Sequence, residues 1–353
     1  MRLAIRMASV LGLWLLCAAA FAQRVEGDRA GAQGLYDAEV AVTNQGEAQR
    51  NAGFARALAQ VLAKVTGDRS VAAKPGVGQE LRHARDFVKG YDYRQDEGLS
   101  PSGAPTFTTT LVVRFEPEEV DEVIAMLGLP VWAEPRPKPV LWLAIDDGRG
   151  PRLVSVAQSN AARAVLDRAV ERGYKLGLPS GSAAEQAAVG AIWRGDTAAI
   201  ARLSSRYSPP MQLIGKLYRV PGGWRADWTF VDRGKVLSSW TVDQPDARRA
   251  MAGGADGAAD ALSTKYAKRT TAGAAGHYVV EVDGIDSSDD YLRLMSFLQE
   301  LPVVRRIAPV KAAPGVLALD LDLLTGLPGL KRAAGNGEVL VGSDDAPASF
   351  HLR

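Results

Sequence analysis

Residues 212–243 read QLIGKLYRVPGGWRADWTFVDRGKVLSSWTVD, and this stretch decides the fold. It holds three β-rich runs, Gln212–Val220, Trp224–Asp232 and Lys235–Asp243, broken by Pro221-Gly222-Gly223 and Asp232-Arg233-Gly234. Short Gly-bearing breaks between alternating runs predict tight hairpin loops and an antiparallel meander. In the second run Trp224, Ala226, Trp228 and Phe230 point one way, and Arg225, Asp227 and Thr229 the other. In the third, Val236, Trp240 and Val242 are expected to share a face. Strict alternation predicts one buried and one solvated side. It favours a core over a sugar- or peptide-binding face for Trp224, Trp228 and Trp240. The solvated residues Arg225, Asp227, Thr229, Lys235 and Ser239 form a candidate interaction edge.

The flanks complete a middle domain over residues 139–269. Val140–Asp146 is nearly all apolar and reads as a strand buried on both faces. Helices are expected over Asn160–Arg172, Thr197–Tyr207 and Asp246–Arg269, the last placed to cover the tryptophans. The run Trp132-Ala133-Glu134-Pro135-Arg136-Pro137-Lys138-Pro139 is a stiff linker.

Upstream, residues 35–132 read β-α-α-β-α. Leu35–Val42 alternates as a strand. Asn44 and Glu47 form a capping-box pattern. Phe54, Leu58, Val61, Leu62 and Val65 then stripe one helix face, and Gly67 ends the helix. Pro75–Lys89 suggests a second helix, Phe107–Phe115 a strand, and Pro117 opens a third helix at its first turn. Downstream, Thr270–Gly276 is a small-residue linker. Residues 277–353 then follow a ferredoxin-like β-α-β-β-α-β order, with the last strand at Glu338–Val341 or Ser349–Leu352. The expected class is α+β, in three small layered domains.

Residues 1–22 read as a secretory signal peptide. Arg2 and Arg6 are the basic region, Ala8–Ala20 the apolar region, and Ala20-Phe21-Ala22 the small-x-small cleavage site after Ala22. The apolar run is short for a spanning helix, which needs about 20 residues. Cys17 follows Trp14-Leu15-Leu16, which lacks the small residue a lipoprotein signal wants. Cys17 is the chain's one cysteine, so cleavage leaves no thiol for catalysis, zinc or disulfides. Cleavage also takes the net charge from +2 to zero, because the removed segment holds two arginines and no acid. A neutral chain carries no electrostatic footprint for nucleic acid. No later segment is long and apolar enough to span a membrane. The expected compartment is the periplasm.

Motifs for chemistry are sparse. There is no His-Glu-x-x-His, Gly-x-Ser-x-Gly, Walker loop or Gly-x-Gly-x-x-Gly, so no catalytic, cofactor or metal residue is assigned. His83, His277 and His351 are the only histidines and stand apart in sequence. Asp146 and Asp147, at the end of a buried strand, are the best carboxylates for magnesium binding or acid–base work. Asp146-Asp147-Gly148 is equally good turn chemistry, and the turn is the favoured reading. Asp286, Asp289 and Asp290 suit a helix cap better than an EF-hand.

The stretches Arg50–Leu58 and Lys64–Asp68 resemble a proteobacterial family labelled domain of unknown function 2066. Tyr91-Asp92-Tyr93, Leu129-Pro130-Val131-Trp132, Trp142, Trp224–Trp228 and Leu262–Tyr266 agree with it, over most of residues 35–269. That resemblance implies exported proteins with no assigned activity. The middle domain's order is also similar to TolB N-terminal-type domains, found in lipoprotein activators of peptidoglycan synthases and in a flagellar ring protein; the lipobox cysteine of those lipoproteins is missing here. The sequence therefore points to a non-catalytic periplasmic binding or accessory protein with an envelope protein as partner. The rivals are a structural part of an envelope machine and an enzyme built on Asp146 and Asp147.

Overall fold

A computed structural model describes residues 34–99, 105–269, 273–335, 339–343 and 346–353. The expected signal peptide and the centre of the expected linker at 270–272 lie outside the described residues. By contacts the chain falls into two compact units. Of the described residues, one holds 137–169 and 174–258; the other holds 34–136, 170–173 and 259–353.

The larger unit begins with β1 (Asp37–Val42), α1 (Glu47–Thr66), α2 (Val77–Arg82), β2 (Val88–Leu99), β3 (Pro105–Phe115), α3 (Pro117–Met126) and β4 (Pro130–Val131). The sheet order is β1-β3-β2, antiparallel throughout. All five stripe residues of α1, from Phe54 to Val65, are buried. Gly67 closes the helix at φ 75°, its N–H donating to Ala63 O over 3.0 Å. The expected capping box is absent: the cap is Gly46, and the Asn44 side chain instead accepts from the Gly46 N–H at 2.9 Å. The expected helix over 75–89 shrinks to α2, because the chain is already extended in β2 from Val88.

The smaller unit carries β5 (Val140–Asp146), β6 (Arg152–Val154), α4 (Arg163–Glu171), α5 (Ala183–Gln186), α6 (Val189–Arg194), α7 (Thr197–Leu203), β7 (Met211–Val220), β8 (Gly223–Asp232), β9 (Lys235–Gln244) and most of α8 (Ala247–Tyr266). Its sheet runs β6-β5-β7-β8-β9, parallel between β5 and β7 and antiparallel elsewhere. The meander is present with both tight loops. One detail differs from expectation. A register shift between Phe230 and Val231 pairs Phe230 with Ser238 but Val231 with Val236. This bulge takes Val236 off the Trp240 face, and Val236 is 46% exposed.

The larger unit resumes with the short β10 (Lys268–Arg269) on β4, then β11 (Gly276–Ile285), α9 (Ser288–Glu300), β12 (Val304–Ala313), β13 (Gly315–Leu323), α10 (Gly326–Ala333), β14 (Leu340–Gly342) and β15 (Ser349–Leu352). The order β12-β13-β11-β15-β14 keeps the ferredoxin-like arrangement for its first three positions; the fourth is taken by β15, which runs parallel to β11 and displaces β14 to the edge. Both candidates for the last strand are used. β14 and β15 form an antiparallel pair, and β15 lies parallel to β11. Buried residues of this segment, such as Val280, Leu319 and Phe350, belong to one apolar cluster with Val40, Leu58 and Leu111 of the first segment. The Thr325 hydroxyl donates to Met126 O at 2.8 Å, and Arg332 donates to Ala125 O at 2.9 Å, tying α10 to the end of α3.

Buried and half-buried cations in this unit satisfy main-chain carbonyls, two of them just past helix ends. Arg136 donates to Trp132 O at 3.0 Å and to Gly173 O at 2.8 Å, while Arg172 donates to Gly67 O at 2.9 Å. Carbonyls at helix C-termini carry negative partial charge, which cations satisfy. Lys64 is buried too, and burial pushes its ammonium down to a pKa of about 8. Its Nζ donates to Asp37 O. Among the described residues no helix is long and apolar enough to cross a membrane.

Candidate functional site

The sheet of the smaller unit has two unlike faces. On the first, Trp228 is 1% exposed. Gly215 of β7 and Gly254 of α8 approach it so closely that a Cβ on either would stand 2.2 Å and 2.5 Å from the indole. Trp240 is half-buried and donates through Nε1 to Gly253 O at 3.1 Å. Trp228 and Trp240 thus belong to the packing under α8. Trp224 sits near the hairpin end, half-buried, with the Arg219 guanidinium 4.7 Å from its ring.

The opposite face is covered over β5 and β7 by α5–α7. Trp142, Ile192, Ile200, Ile214 and Val231 form that core, and Trp142 Nε1 donates to Ser204 Oγ at 2.8 Å. Over β8 and β9 the cover ends and a polar ladder is open. Lys216, Asp227 and Thr241 form one cross-strand row, and Tyr218, Arg225 and Asp243 the next. Asp227 is the centre. It accepts from the Thr241 hydroxyl at 2.8 Å and the Tyr218 hydroxyl at 3.0 Å, and lies 3.4 Å from Lys216 Nζ. Burial, and then the Asp227 carboxylate, push the Tyr218 hydroxyl up from its ordinary pKa. Arg225 grips Asp243 through two bonds of 2.7 and 2.8 Å, which hold that carboxyl below the usual carboxylate range. Thr229 and Ser239 hydroxyls meet at 3.2 Å. A groove of about 320 Å3 runs along this ladder beside α6 and α7. Of the expected edge residues, Arg225, Asp227, Thr229 and Ser239 join the ladder; Lys235 stands apart, opposite Asp232 at the hairpin turn.

The other candidates take structural positions. Asp146 Oδ1 accepts from the N–H of Gly148 at 2.8 Å and of Gly150 at 3.1 Å. Asp147 pairs with Arg152 at 2.8 Å. Both carboxylates therefore hold the turn between β5 and β6. Asp146→Ala is expected to lower stability by about 1 kcal/mol, since two turn amides lose their acceptor on a solvated loop. A urea midpoint unchanged from wild type would contradict this. Asp290 accepts from Ser287 Oγ at 2.7 Å and from Asp286 N at 3.3 Å, the cap expected for α9. His83 lies 3.9 Å from Asp86 and His277 lies 3.3 Å from Asp320, while His351 contacts Asp283. Among the described residues no three His, Cys, Asp or Glu side chains are grouped to hold a metal ion.

Sequence reasoning missed Glu185, which is 2% exposed. Its carboxylate accepts from Ser180 Oγ at 2.7 Å, Gly181 N at 2.8 Å, Ser182 N at 2.9 Å and Tyr207 OH at 2.5 Å. Desolvation raises its pKa, but the hydrogen bonds, led by that of Tyr207, win and hold it at about 2. The Ser182-x-x-Glu185 spacing was the available signal: it is a capping box, and both of its bonds are made.

A family model matches residues 30–133, described as Domain of unknown function (DUF8605). That span reaches from before β1 to just past β4. The match fits the expectation of an uncharacterised family over this segment; it is a different family from domain of unknown function 2066 and does not reach the middle domain. No curated protein and no solved structure matches the chain.

Proposed function

We propose that the chain is an exported, non-catalytic binding or accessory protein of the cell envelope, with the outer face of β8 and β9 as its contact surface. The observation that carries this reading is the groove beside α6 and α7, whose floor is the Asp227 ladder. Asp227 is engaged by three neighbours, so the floor is polar and pre-ordered. A pre-ordered polar floor recognises a polar surface with little loss of side-chain freedom. The Arg2/Arg6, apolar and Ala20-Phe21-Ala22 pattern supports export to the periplasm. The finer likenesses, to domain of unknown function 2066 and to TolB N-terminal-type domains, belong to this proposal. The latter is supported by the order of β5, α4, the helices before β7, the meander and α8.

The test is photo-crosslinking in intact cells of the native host from a reactive side chain placed at Thr229, with Arg293 on α9 as the control position. A reproducible set of envelope proteins from Thr229 and not from Arg293 is expected. A stable, stoichiometric complex among them would identify the chain as a structural part of an envelope machine. Recovery of the chain alone, or from the cytoplasm, overturns the reading.

A further inference from the structure

The sheet of the smaller unit ends in β9, whose only strand neighbour among the described residues is β8. An edge strand presents a row of backbone N–H and C=O groups that template further pairing, and proteins usually blunt such edges. Among the described residues, the other edges of the three larger sheets are blunted. β6 and β14 have three residues each. β12 contains Pro309, with two register shifts and the charges Arg305, Arg306 and Lys311. β2 carries Asp92, Arg94, Asp96 and Glu97. β1 is six residues long with Asp37 and Glu39. β9 is different. After its bulge, residues 238–244 read SSWTVDQ, pair with β8 without interruption, and hold no proline, glycine or lysine.

We infer that β9 pairs with β9 of a second copy of this chain, antiparallel and centred on Thr241, so that two five-stranded sheets become one. The seven residues are self-complementary in that register. Ser238 meets Gln244, Ser239 meets Asp243, Trp240 meets Val242, and Thr241 meets itself. The pairs keep the two faces separate, because paired residues have the same parity along the strand. Trp240 against Val242 is an aromatic–β-branched pair, which stabilises antiparallel strands. The single charge of the segment, Asp243, meets a serine hydroxyl and not its own copy. Two-fold pairing is isologous and closes after two copies, so the edge is consumed without growth into a filament. The inference stands independently of the function proposed above.

The test uses the full mature chain. Sedimentation equilibrium is expected to give a dimer at concentrations on the order of 10 μM, the range of a modest interface. Thr241→Lys places two ammonium groups face to face on the two-fold axis and is expected to weaken the dimer about a hundredfold, at an unchanged circular-dichroism spectrum. Thr241→Cys should form a disulfide-linked dimer on mild oxidation, since no other cysteine follows Cys17. Thr229→Cys, on the interior strand β8, should not. A monomer at that concentration overturns the inference, as does a dimer that resists Thr241→Lys or fails to crosslink through Thr241→Cys. A monomer that pairs instead with a strand of another protein overturns it as well.

Discussion

Replacing Glu185 with alanine is expected to destabilise the protein by about 3–5 kcal/mol, the range for removing one member of a buried, charge-assisted cluster. The loss is large because the carboxylate is the common acceptor of two backbone amides, the Ser180 hydroxyl and the Tyr207 hydroxyl. Alanine removes the buried acceptor of the Tyr207 hydroxyl, and with it the anchor of the half-exposed Ser180–Ser182 turn. Glu185→Gln keeps one carbonyl oxygen but turns an amide N–H towards donors, and about half the loss is expected. The effect depends on pH with a definite sign. The folded carboxyl is held at about 2, below its ordinary 4.5. The stabilisation is therefore complete above about 4.5 and is lost as pH falls from there towards 2. The difference corresponds to about 3 kcal/mol at neutral pH. Urea unfolding of wild type and Glu185→Gln across that window is the measurement. The acid decline of the wild type should flatten in the variant, and two parallel curves would refute the assignment.

The second large effect concerns Trp228. Trp228→Ala is expected to cost about 3–5 kcal/mol, as other buried large-to-small changes do. Gly254→Ala should itself be destabilising by about 1–3 kcal/mol. Alanine is the better helix former by about 1 kcal/mol, but its methyl would stand 2.5 Å from an indole that has Gly215 on its other side. The steric effect wins because the ring has nowhere to retreat. Combined, the two changes should cost clearly less than their sum, since Trp228→Ala removes the atoms with which the methyl collides. Additive losses in the double variant would show that Gly254 does not act through Trp228.

These two sites show what was legible in the sequence. The alternation of Ala226, Trp228 and Phe230, and the loops at Pro221 and Asp232, specify a meander with one buried face by local pattern alone. The stripe of α1 is equally local. The bulge at Val236 leaves no local mark, because one extra residue changes register without changing composition. The short helices α5 and α6 lie in an alanine-rich segment with few large apolar residues to set a period. Glu185 showed its capping partner Ser182, three residues away, but not Tyr207, 22 residues on, which makes its shortest bond. The groove was legible only as a list of alternating polar residues. That Asp227 gathers Lys216, Tyr218 and Thr241 follows from strand register. The turn role of Asp146 was readable from Asp-Asp-Gly itself.

The division of the chain has a consequence for its synthesis. Residues up to 136 share an apolar cluster with residues after 276, and the smaller unit lies between them in sequence. The first segment therefore lacks the part of this cluster that residues after 276 supply until the last segment arrives. About 150 residues separate Leu129 from Val280, which is roughly eight to thirty seconds of elongation at about 5–20 residues per second. During that interval β1 and β3 already pack on α1, while the end of α3 lacks its partner α10. The smaller unit draws almost all its residues from one stretch and can close early. The order of completion is then inside out along the chain: the middle first, the two ends together and last. A chain stopped near Arg269 would carry a finished inner unit and an unfinished outer one, the form that a holdase would recognise.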